Sequence, residues 1–302
     1  RKQASALPSF DPEGKVPRWT RQNLLAVCLF ASLLPLIAVW SGHFVQWSTM
    51  YAALTGRIPW SDASSYYSGA AAFLDEGILS RWTGRRPMNT LLLASRSALT
   101  GERLELTLIS QALMVGIAMF FAIRQIWNRF GLAPALFFAA LTYGFMRIFV
   151  PTTLSESLGL TVGLLAVPMI LHGVYHRQAL PFIAACLILA LGQIIRPGTI
   201  FLLPALLLWA FWAFGPSLKR RVLITGLSAV ALAAPFMANK VCMRYAPEDA
   251  SSNSNFSLTF YGLTIGTDWK GAETAIDSPD FPIQDGETRH DAIYRVGWEN
   301  IC

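Results

Sequence analysis

The sequence predicts an all-α integral membrane protein, a polytopic bundle of transmembrane helices. The 302-residue chain is 54% hydrophobic and only 14% charged, whereas soluble domains carry about 25% charged residues. Apolar runs of the length that crosses roughly 30 Å of hydrocarbon recur along it. Many basic residues fall in short links between these runs, where they orient spans against the bilayer. The net charge of +6 is therefore not interpreted as a sign of nucleic-acid binding.

The N-terminal third is predicted to contain a tail, one span and a long loop. Residues 1–22 are polar and basic and are interpreted as a cytoplasmic tail. The first span is expected at about 23–42, and no small-residue cleavage site follows it, so it is not a cleavable signal peptide. Residues 43–102 form a long polar outer loop. Within it, 62–77 and 89–99 have the pattern of surface helices lying in the membrane interface.

Six further spans are expected in close succession, which gives a transmembrane domain of about seven spans over residues 23–239. Their predicted positions are 104–123, 132–149, 156–174, 179–195, 199–214 and 222–239. Residues 240–302 are polar and are expected to form an outer segment. Because the number of spans is odd and the sequence stops at Cys302 without a closing element, we expect further spans beyond Cys302.

The links predict which end of the bundle faces the cytoplasm. One set of alternate links and adjoining helix ends carries Arg124, Arg129, His172, His176, Arg177, Lys219, Arg220 and Arg221. In the other set, the link 150–155 has no basic residue and the next holds Arg196. Because short cytoplasmic loops concentrate Lys and Arg, we expect a cytoplasmic N-terminus and an outer long loop.

Under this topology, several ionisable residues that are distant in sequence fall at the outer membrane surface. Such groups cost several kcal/mol at a membrane boundary unless they are partnered, and they commonly mark a substrate pathway. Asp62 and Glu156 are candidates for a catalytic base and a group that orients it.

Arginines on the same side are candidates for holding an anionic phosphate, because the forked donors of Arg suit phosphate oxygens. The candidates are Arg196, Arg147 and the loop pair Arg85 and Arg86. A structural role is open for each residue. Arg147 and Arg196 have the length to snorkel to the interface, and the loop pair suits lipid headgroups.

The two acids also have structural alternatives. Asp62 precedes a predicted surface helix, and Asp is a preferred N-cap. Glu156 falls in the first turn of a predicted span, where the helix dipole favours an acid. A capping role and a role as base are compatible for Asp62.

Four features of this layout together indicate a known family. They are Trp60-Ser61-Asp62 shortly after the first span, the pair of surface helices behind it, Leu154-Ser155-Glu156 at the start of the fourth span, and Arg196-Pro197-Gly198 on the outer side. With these features the chain resembles the polytopic GT-C glycosyltransferases. That group includes protein O-mannosyltransferases, the lipid A aminoarabinose transferase and oligosaccharyltransferases. The stretch 255–263 is similar to uncharacterised bacterial members.

The resemblance implies a helical bundle of GT-C type in a bacterial inner membrane. It implies transfer of a sugar from a polyprenyl-phosphate-linked donor to an envelope glycan, lipid or protein acceptor on the non-cytoplasmic face. Asp62 would be the base, and Arg196 with Arg85 or Arg86 would hold the donor phosphate. Many relatives carry paired acids in the first loop, whereas the neighbours of Asp62 are Ser61 and Ala63. This weakens the case for a bound divalent metal, which usually needs two or more carboxylate or His ligands. We therefore expect no cofactor, and a divalent metal stays the less supported alternative.

Two other functions stay open at this point. A transporter or flippase for lipid-linked glycans is expected to show polar or helix-breaking residues at mid-membrane, whereas the mid-span residues here are mostly Leu, Ala, Phe and Val. A non-catalytic membrane scaffold subunit would tolerate Asp62→Ala without loss of activity.

Overall fold

The protein is almost entirely helical, which confirms the all-α class. A computed structural model describes residues 18–42, 53–54, 57–80, 82–196, 198, 202–214, 217–247, 255–284, 286–287 and 289–302. Most of the predicted cytoplasmic tail therefore lies outside the described residues. The described strands, β1 (Ala53–Leu54) and β2 (Ile58–Pro59), form a two-residue antiparallel ladder just before the first surface helix.

The helices fall close to the predicted positions. They are α1 (Arg18–Trp40), α2 (Asp62–Glu76), α3 (Pro87–Leu99), α4 (Leu104–Phe130), α5 (Leu132–Phe149), α6 (Ser155–His176), α7 (Ala179–Ile195), α8 (Leu202–Ala213), α9 (Leu218–Cys242), α10 (Asn255–Thr264), α11 (Trp269–Ile276) and α12 (Arg289–Glu299). Short 3₁₀ helices lie at Thr83–Arg85 and Met243–Tyr245.

Within the described part of the chain, five helices are long and apolar enough to cross a membrane, and they identify an integral membrane protein. They are Gln22–Trp40, Leu104–Phe130, Leu132–Phe149, Ser155–His176 and Leu218–Tyr245. The helices α7 and α8 are apolar but have 17 and 12 residues. They are about 25 and 18 Å long, less than the roughly 30 Å of hydrocarbon. Five of the seven predicted spans are thus supported by length, and the other two stay predictions.

The helix boundaries follow local backbone chemistry. Gly77 ends α2 in the left-handed conformation, with φ at 73°, and its N–H donates to the carbonyl of Phe73. Such a conformation is easy for glycine and costly for other residues. Gly131, with φ at 90°, separates α4 from α5. Pro87 occupies the first helical position of α3, where its missing N–H costs nothing.

Close helix packing holds the bundle together. The helix α4 lies against α1, α5 and α6, and α7 lies against α6 and α9. Gly116 on α4 allows a close approach to α1, because a Cβ there would lie 2.6 Å from Ser32 Oγ. One buried cluster, which includes Leu36, Val115 and Met146, fills the space among α1, α4 and α5. A second buried cluster joins α7, α8 and α9.

Because neighbouring helices are antiparallel, the helix ends fall into two groups. We call one the loop end, where the long loop and the connection between α5 and α6 lie. We call the other the link end, where the connections between α4 and α5 and between α6 and α7 lie. At the loop end, the N–H of Leu79 donates to the carbonyl of Tyr245 at 2.7 Å, which brings the long loop to the end of α9. Thr153, between α5 and α6, donates from Oγ1 to the carbonyl of Ala63 at 2.6 Å. At the opposite link end, Arg129 of α4 contacts His176 of α6.

The helices α10, α11 and α12 form a small unit with its own core, in the region predicted as a polar outer segment. Tyr261, Ala272, Ile276 and Ile293 are buried together in it. An ion pair between Arg295 and Glu287, at 2.9 Å, joins α12 to the preceding loop. This part of the chain is therefore folded and helical.

Candidate active site

An ion pair at the loop end joins two residues predicted for the site. The N-terminus of α6 lies beside the C-terminus of α7 because the two helices are antiparallel neighbours. Glu156, in the first turn of α6, accepts from Arg196, which directly follows α7, with Oε1 and Nη2 3.1 Å apart. The Glu156 side chain is 13% exposed and that of Arg196 is 41% exposed. In the whole sequence, Glu156 is the only acidic residue between positions 106 and 247.

A glycine on α6 allows Arg196 to reach this position. A Cβ on Gly159 would lie 3.0 Å from Cβ of Arg196 and 3.7 Å from its Cγ. Any larger side chain would press on the stem of the arginine that pairs with Glu156. The absence of a side chain at Gly159 is thus part of how the ion pair is positioned.

Gly159→Val is expected to lower the free energy of unfolding by about 1–3 kcal/mol, the usual cost of overpacking a well-filled contact. Gly163→Val, one helical turn further along α6, is the matched control because open space surrounds that position. Thermal unfolding of the two purified variants compares them directly. Equal melting temperatures would mean that the contact between Gly159 and Arg196 does not constrain the fold.

Arg86 joins the long loop to the start of α6. Its Nη1 donates to the phenol oxygen of Tyr66 at 2.8 Å and to Ser155 Oγ at 3.1 Å. The Ser155 hydroxyl lies 3.4 Å from Oε2 of Glu156, to which it donates. A continuous polar path therefore runs from Arg86 through Ser155 and Glu156 to Arg196.

Tyr66 and Ser155 complete this cluster, and sequence reasoning missed both as site residues. Tyr66 was expected on a helix in the membrane interface, but its side chain is buried. Burial raises the pKa of the Tyr66 phenol above its ordinary value, and hydrogen bonds and two nearby guanidiniums offset only part of that rise. The phenol therefore stays protonated at neutral pH and has an O–H to donate. A usable signal was its spacing, because Tyr66 lies four residues after Asp62.

Packing around Tyr66 positions the loop helices. Its ring meets that of Trp82 edge to face, with centroids 4.6 Å apart. Leu93 of α3 and Leu154 at the start of α6 pack in the same apolar cluster. This cluster fixes the short connection between α2 and α3, which carries Arg86, against the end of the bundle.

A buried amide supports the link between α5 and α6. Gln111 of α4 donates from Nε2 to the carbonyls of Val150 and Thr152, at 3.0 and 2.9 Å. Arg96 of α3 donates to Oε1 of Gln111 at 3.0 Å, and burial lowers the pKa of Arg96 to about 10. These bonds hold the link that leads into Ser155 and Glu156.

Asp62 is the first residue of α2 and is exposed. The N-cap position belongs to Ser61, whose side chain makes no capping bond, so Asp62 does not act as the cap. Asp62 makes no hydrogen bond or ion pair with any residue that the structure describes. Because side chains at positions i and i+4 share a helix face, Asp62 lies on the side of α2 that carries Tyr66.

The backbone immediately before Asp62 is strained. Ser61 has φ at 54° and ψ at −134°, a conformation that costs a residue with a Cβ of the order of 1–3 kcal/mol. Strain of this kind clusters at functional sites, where the surrounding structure maintains it. It sets the direction in which α2, and with it Asp62, starts.

The two remaining predicted arginines are less connected. Arg85 ends the 3₁₀ helix beside Arg86 and is half-buried, without a hydrogen bond or ion pair to any described residue. Arg147 is in the last turn of α5, at the loop end. Its buried Nε has no hydrogen-bond partner in the described part of the chain, and no contact joins it to the cluster.

The described residues also contain no group of three or more His, Cys, Asp or Glu that would suit a metal ion.

The cluster has the charge of an anion site. Two guanidiniums, Arg86 and Arg196, face one carboxylate, Glu156, and two neutral hydroxyls, so the local formal charge is positive.

A scan against protein-family models finds no match for this chain, and searches of curated proteins and of solved structures find no similar protein. The geometry of the loop end is therefore the basis on which a function can be assigned.

Proposed function

We propose that this protein is a membrane glycosyltransferase of GT-C type. It would move a sugar from a polyprenyl-phosphate-linked donor to an envelope glycan, lipid or protein acceptor on the non-cytoplasmic face of a bacterial inner membrane. The observation that carries this proposal is the cluster of Arg86, Glu156 and Arg196 at one end of a helical membrane bundle. The exposed carboxylate of Asp62 lies on the adjoining helix face.

The two bonded arginines are suited to hold the donor phosphate. Charge-assisted hydrogen bonds from guanidinium to phosphate are among the stronger polar contacts in proteins. Arg196 is partly exposed, and its ionic partner among the described residues is one carboxylate oxygen of Glu156, so donors remain for a ligand. Glu156 orients this guanidinium, and Ser155 connects Glu156 to Arg86. As the phosphate leaves with its negative charge, these fixed donors stabilise it.

Asp62 has the properties of the base. In an inverting transfer, the acceptor oxygen forms a bond to the anomeric carbon while the bond from that carbon to the phosphate oxygen breaks. Asp62 takes the proton of the acceptor hydroxyl, and the lipid phosphate departs as an anion. Glu156 is paired with Arg196, whereas Asp62 has no ion-pair partner among the described residues. Asp62 is therefore the acid available to accept a proton.

The proposal is tested by a transfer assay with the full chain reconstituted in liposomes. Polyprenyl-phosphate sugars carrying a radiolabel are supplied, and the label is followed into lipid, glycan and protein fractions. The expected result is protein-dependent movement of the label to a new linkage. If the label instead crosses the bilayer still attached to its polyprenyl phosphate, the protein is a transporter and the proposal is wrong.

A further inference from the structure

A second polar cluster lies at the link end, on the side of the bundle opposite Glu156. Arg129, in the last turn of α4, donates from Nη2 to Nε2 of His176 at the end of α6. The same guanidinium lies 4.6 Å from the ring centroid of Tyr175. The ring of His172 packs beside that of His176 with centroids 4.5 Å apart, and His172 Nε2 is 3.2 Å from Oε1 of Gln178.

The groups that contact Arg129 in the described structure are neutral, so its positive charge is not balanced there. A guanidinium can only donate, so the Nε2 of His176 that receives its hydrogen bond carries no proton, and that imidazole is neutral. The phenol ring of Tyr175 is also uncharged. Glu156 is the only acid between positions 106 and 247, and it lies at the loop end. No acid from these helices and links is therefore present beside Arg129.

Arg177 adds a second cation with an unusual backbone. It follows His176 directly and ends α6 in the left-handed conformation, with φ at 52°. Glycine adopts this conformation without strain and is the usual residue at such a helix end. The Arg177 side chain is exposed. A charged side chain therefore occupies a position where the backbone conformation alone would favour glycine, which has no side chain.

Apolar side chains border the cluster. Phe130, the last residue of α4, has its ring centroid 6.1 Å from that of Tyr175. Phe130 is 43% exposed, and Leu132, the first residue of α5, is 48% exposed. Tyr175 is 44% exposed. An anion that binds here is thus flanked by surface suited to glycerol and acyl chains. Arg129 and His176 also lie at the ends of helices that can cross a membrane, which is the depth of lipid headgroups.

We propose that Arg129 and Arg177 bind the phosphodiester of an anionic phospholipid at the link end. Basic sites at the ends of membrane helices attract acidic headgroups electrostatically, and the forked donors of Arg fit phosphate oxygens. The anionic lipid supplies the negative charge that the surrounding helices lack. This site is separate from the loop end and does not depend on the enzyme proposed for it.

The test compares phosphatidylglycerol with phosphatidylcholine on the full chain, by native mass spectrometry and by thermal unfolding in detergent. Wild type is expected to retain phosphatidylglycerol preferentially and to melt at a higher temperature with it. Arg177→Gly is expected to melt at a higher temperature than wild type in phosphatidylcholine, because backbone strain is relieved. The same variant is expected to bind phosphatidylglycerol about tenfold more weakly, as when one charged hydrogen bond is lost.

Two further variants distinguish a specific phosphatidylglycerol site from a general electrostatic attraction between the lipid and the basic link end. Arg129→Gln is expected to weaken phosphatidylglycerol binding to a similar extent. Arg220→Gln removes the same charge from an exposed position at the link end, where the structure describes no side-chain partner, and is expected to bind like wild type. An equal loss in Arg220→Gln would overturn the site.

The proposal is also overturned if phosphatidylglycerol and phosphatidylcholine are retained equally, or if Arg177→Gly and Arg129→Gln both bind like wild type. Glycerol phosphate, supplied as a competitor, distinguishes a lipid from a free phosphate. Displacement of phosphatidylglycerol by an equal concentration of glycerol phosphate would show that a free phosphate is the ligand. No displacement at that concentration supports the lipid.

Discussion

Asp62→Asn is expected to lower the rate of sugar transfer by about 10²–10⁴-fold at saturating donor and acceptor, the usual contribution of a general base. Asparagine keeps the size of the side chain but cannot take the proton of the acceptor hydroxyl. Because Asp62 is exposed and unpaired among the described residues, the melting temperature is expected to stay that of wild type. The measurement is the initial rate of transfer from a radiolabelled polyprenyl-phosphate sugar.

Asp75→Asn is the matched control for this prediction. Asp75 is also an exposed acid on α2 and lies near the opposite end of that helix. It is expected to transfer sugar at the wild-type rate. Equal rates for wild type and Asp62→Asn would remove Asp62 from the mechanism. An equal fall in both variants would mean that the surface charge of α2, rather than a base, matters.

Arg196→Gln is expected to raise the KM for the donor by roughly tenfold to a hundredfold, the effect of losing one charged hydrogen bond to phosphate. Glu156→Gln is expected to raise the KM less, because it removes only the group that orients Arg196. The double variant should resemble Arg196→Gln alone, since residues in one ion pair are coupled rather than additive. Their contribution to stability is expected to be about 1 kcal/mol or less, because Arg196 is 41% exposed.

Arg147→Gln is the comparison for the ion pair. It removes one arginine from the same end of the bundle, but no contact connects this residue to the cluster. We expect the KM for the donor to stay near that of wild type. A rise as large as that of Arg196→Gln would restore the phosphate-binding role predicted for Arg147. Strictly additive effects of Glu156→Gln and Arg196→Gln would show that the pair does not act as a unit.

The helices could be predicted from the sequence because their signals are local. The first surface helix was expected over 62–77 and spans Asp62–Glu76, since Asp62 favours a helix start and Gly77 a helix end. The second begins two residues earlier than expected, at Pro87, because proline is well suited to the first helical position. Apolar length identified the spans in the same way, and it was least informative for α7 and α8.

The site could be predicted only in part, because its bonds join residues that are distant along the chain. Topology placed Glu156 and Arg196 at one end of the bundle, and they form an ion pair there. The bond from Arg86 to Ser155 spans 69 residues, and no local pattern indicates it. Tyr66 was misplaced because an aromatic residue on an interfacial helix and one buried against a neighbouring helix have the same sequence pattern.

The central claim is that Asp62, Glu156 and Arg196 work together at the non-cytoplasmic surface, and cysteine labelling of oriented vesicles tests it most directly. Cys28 and Cys186 are buried, so only Cys242 and Cys302 need replacement by serine. In that background, Trp60→Cys, at a position where the side chain is 52% exposed, should react with an impermeant maleimide only from the non-cytoplasmic side. Lys219→Cys, at the link end, should react only from the cytoplasm. Reaction of Trp60→Cys only from the cytoplasm would contradict the account.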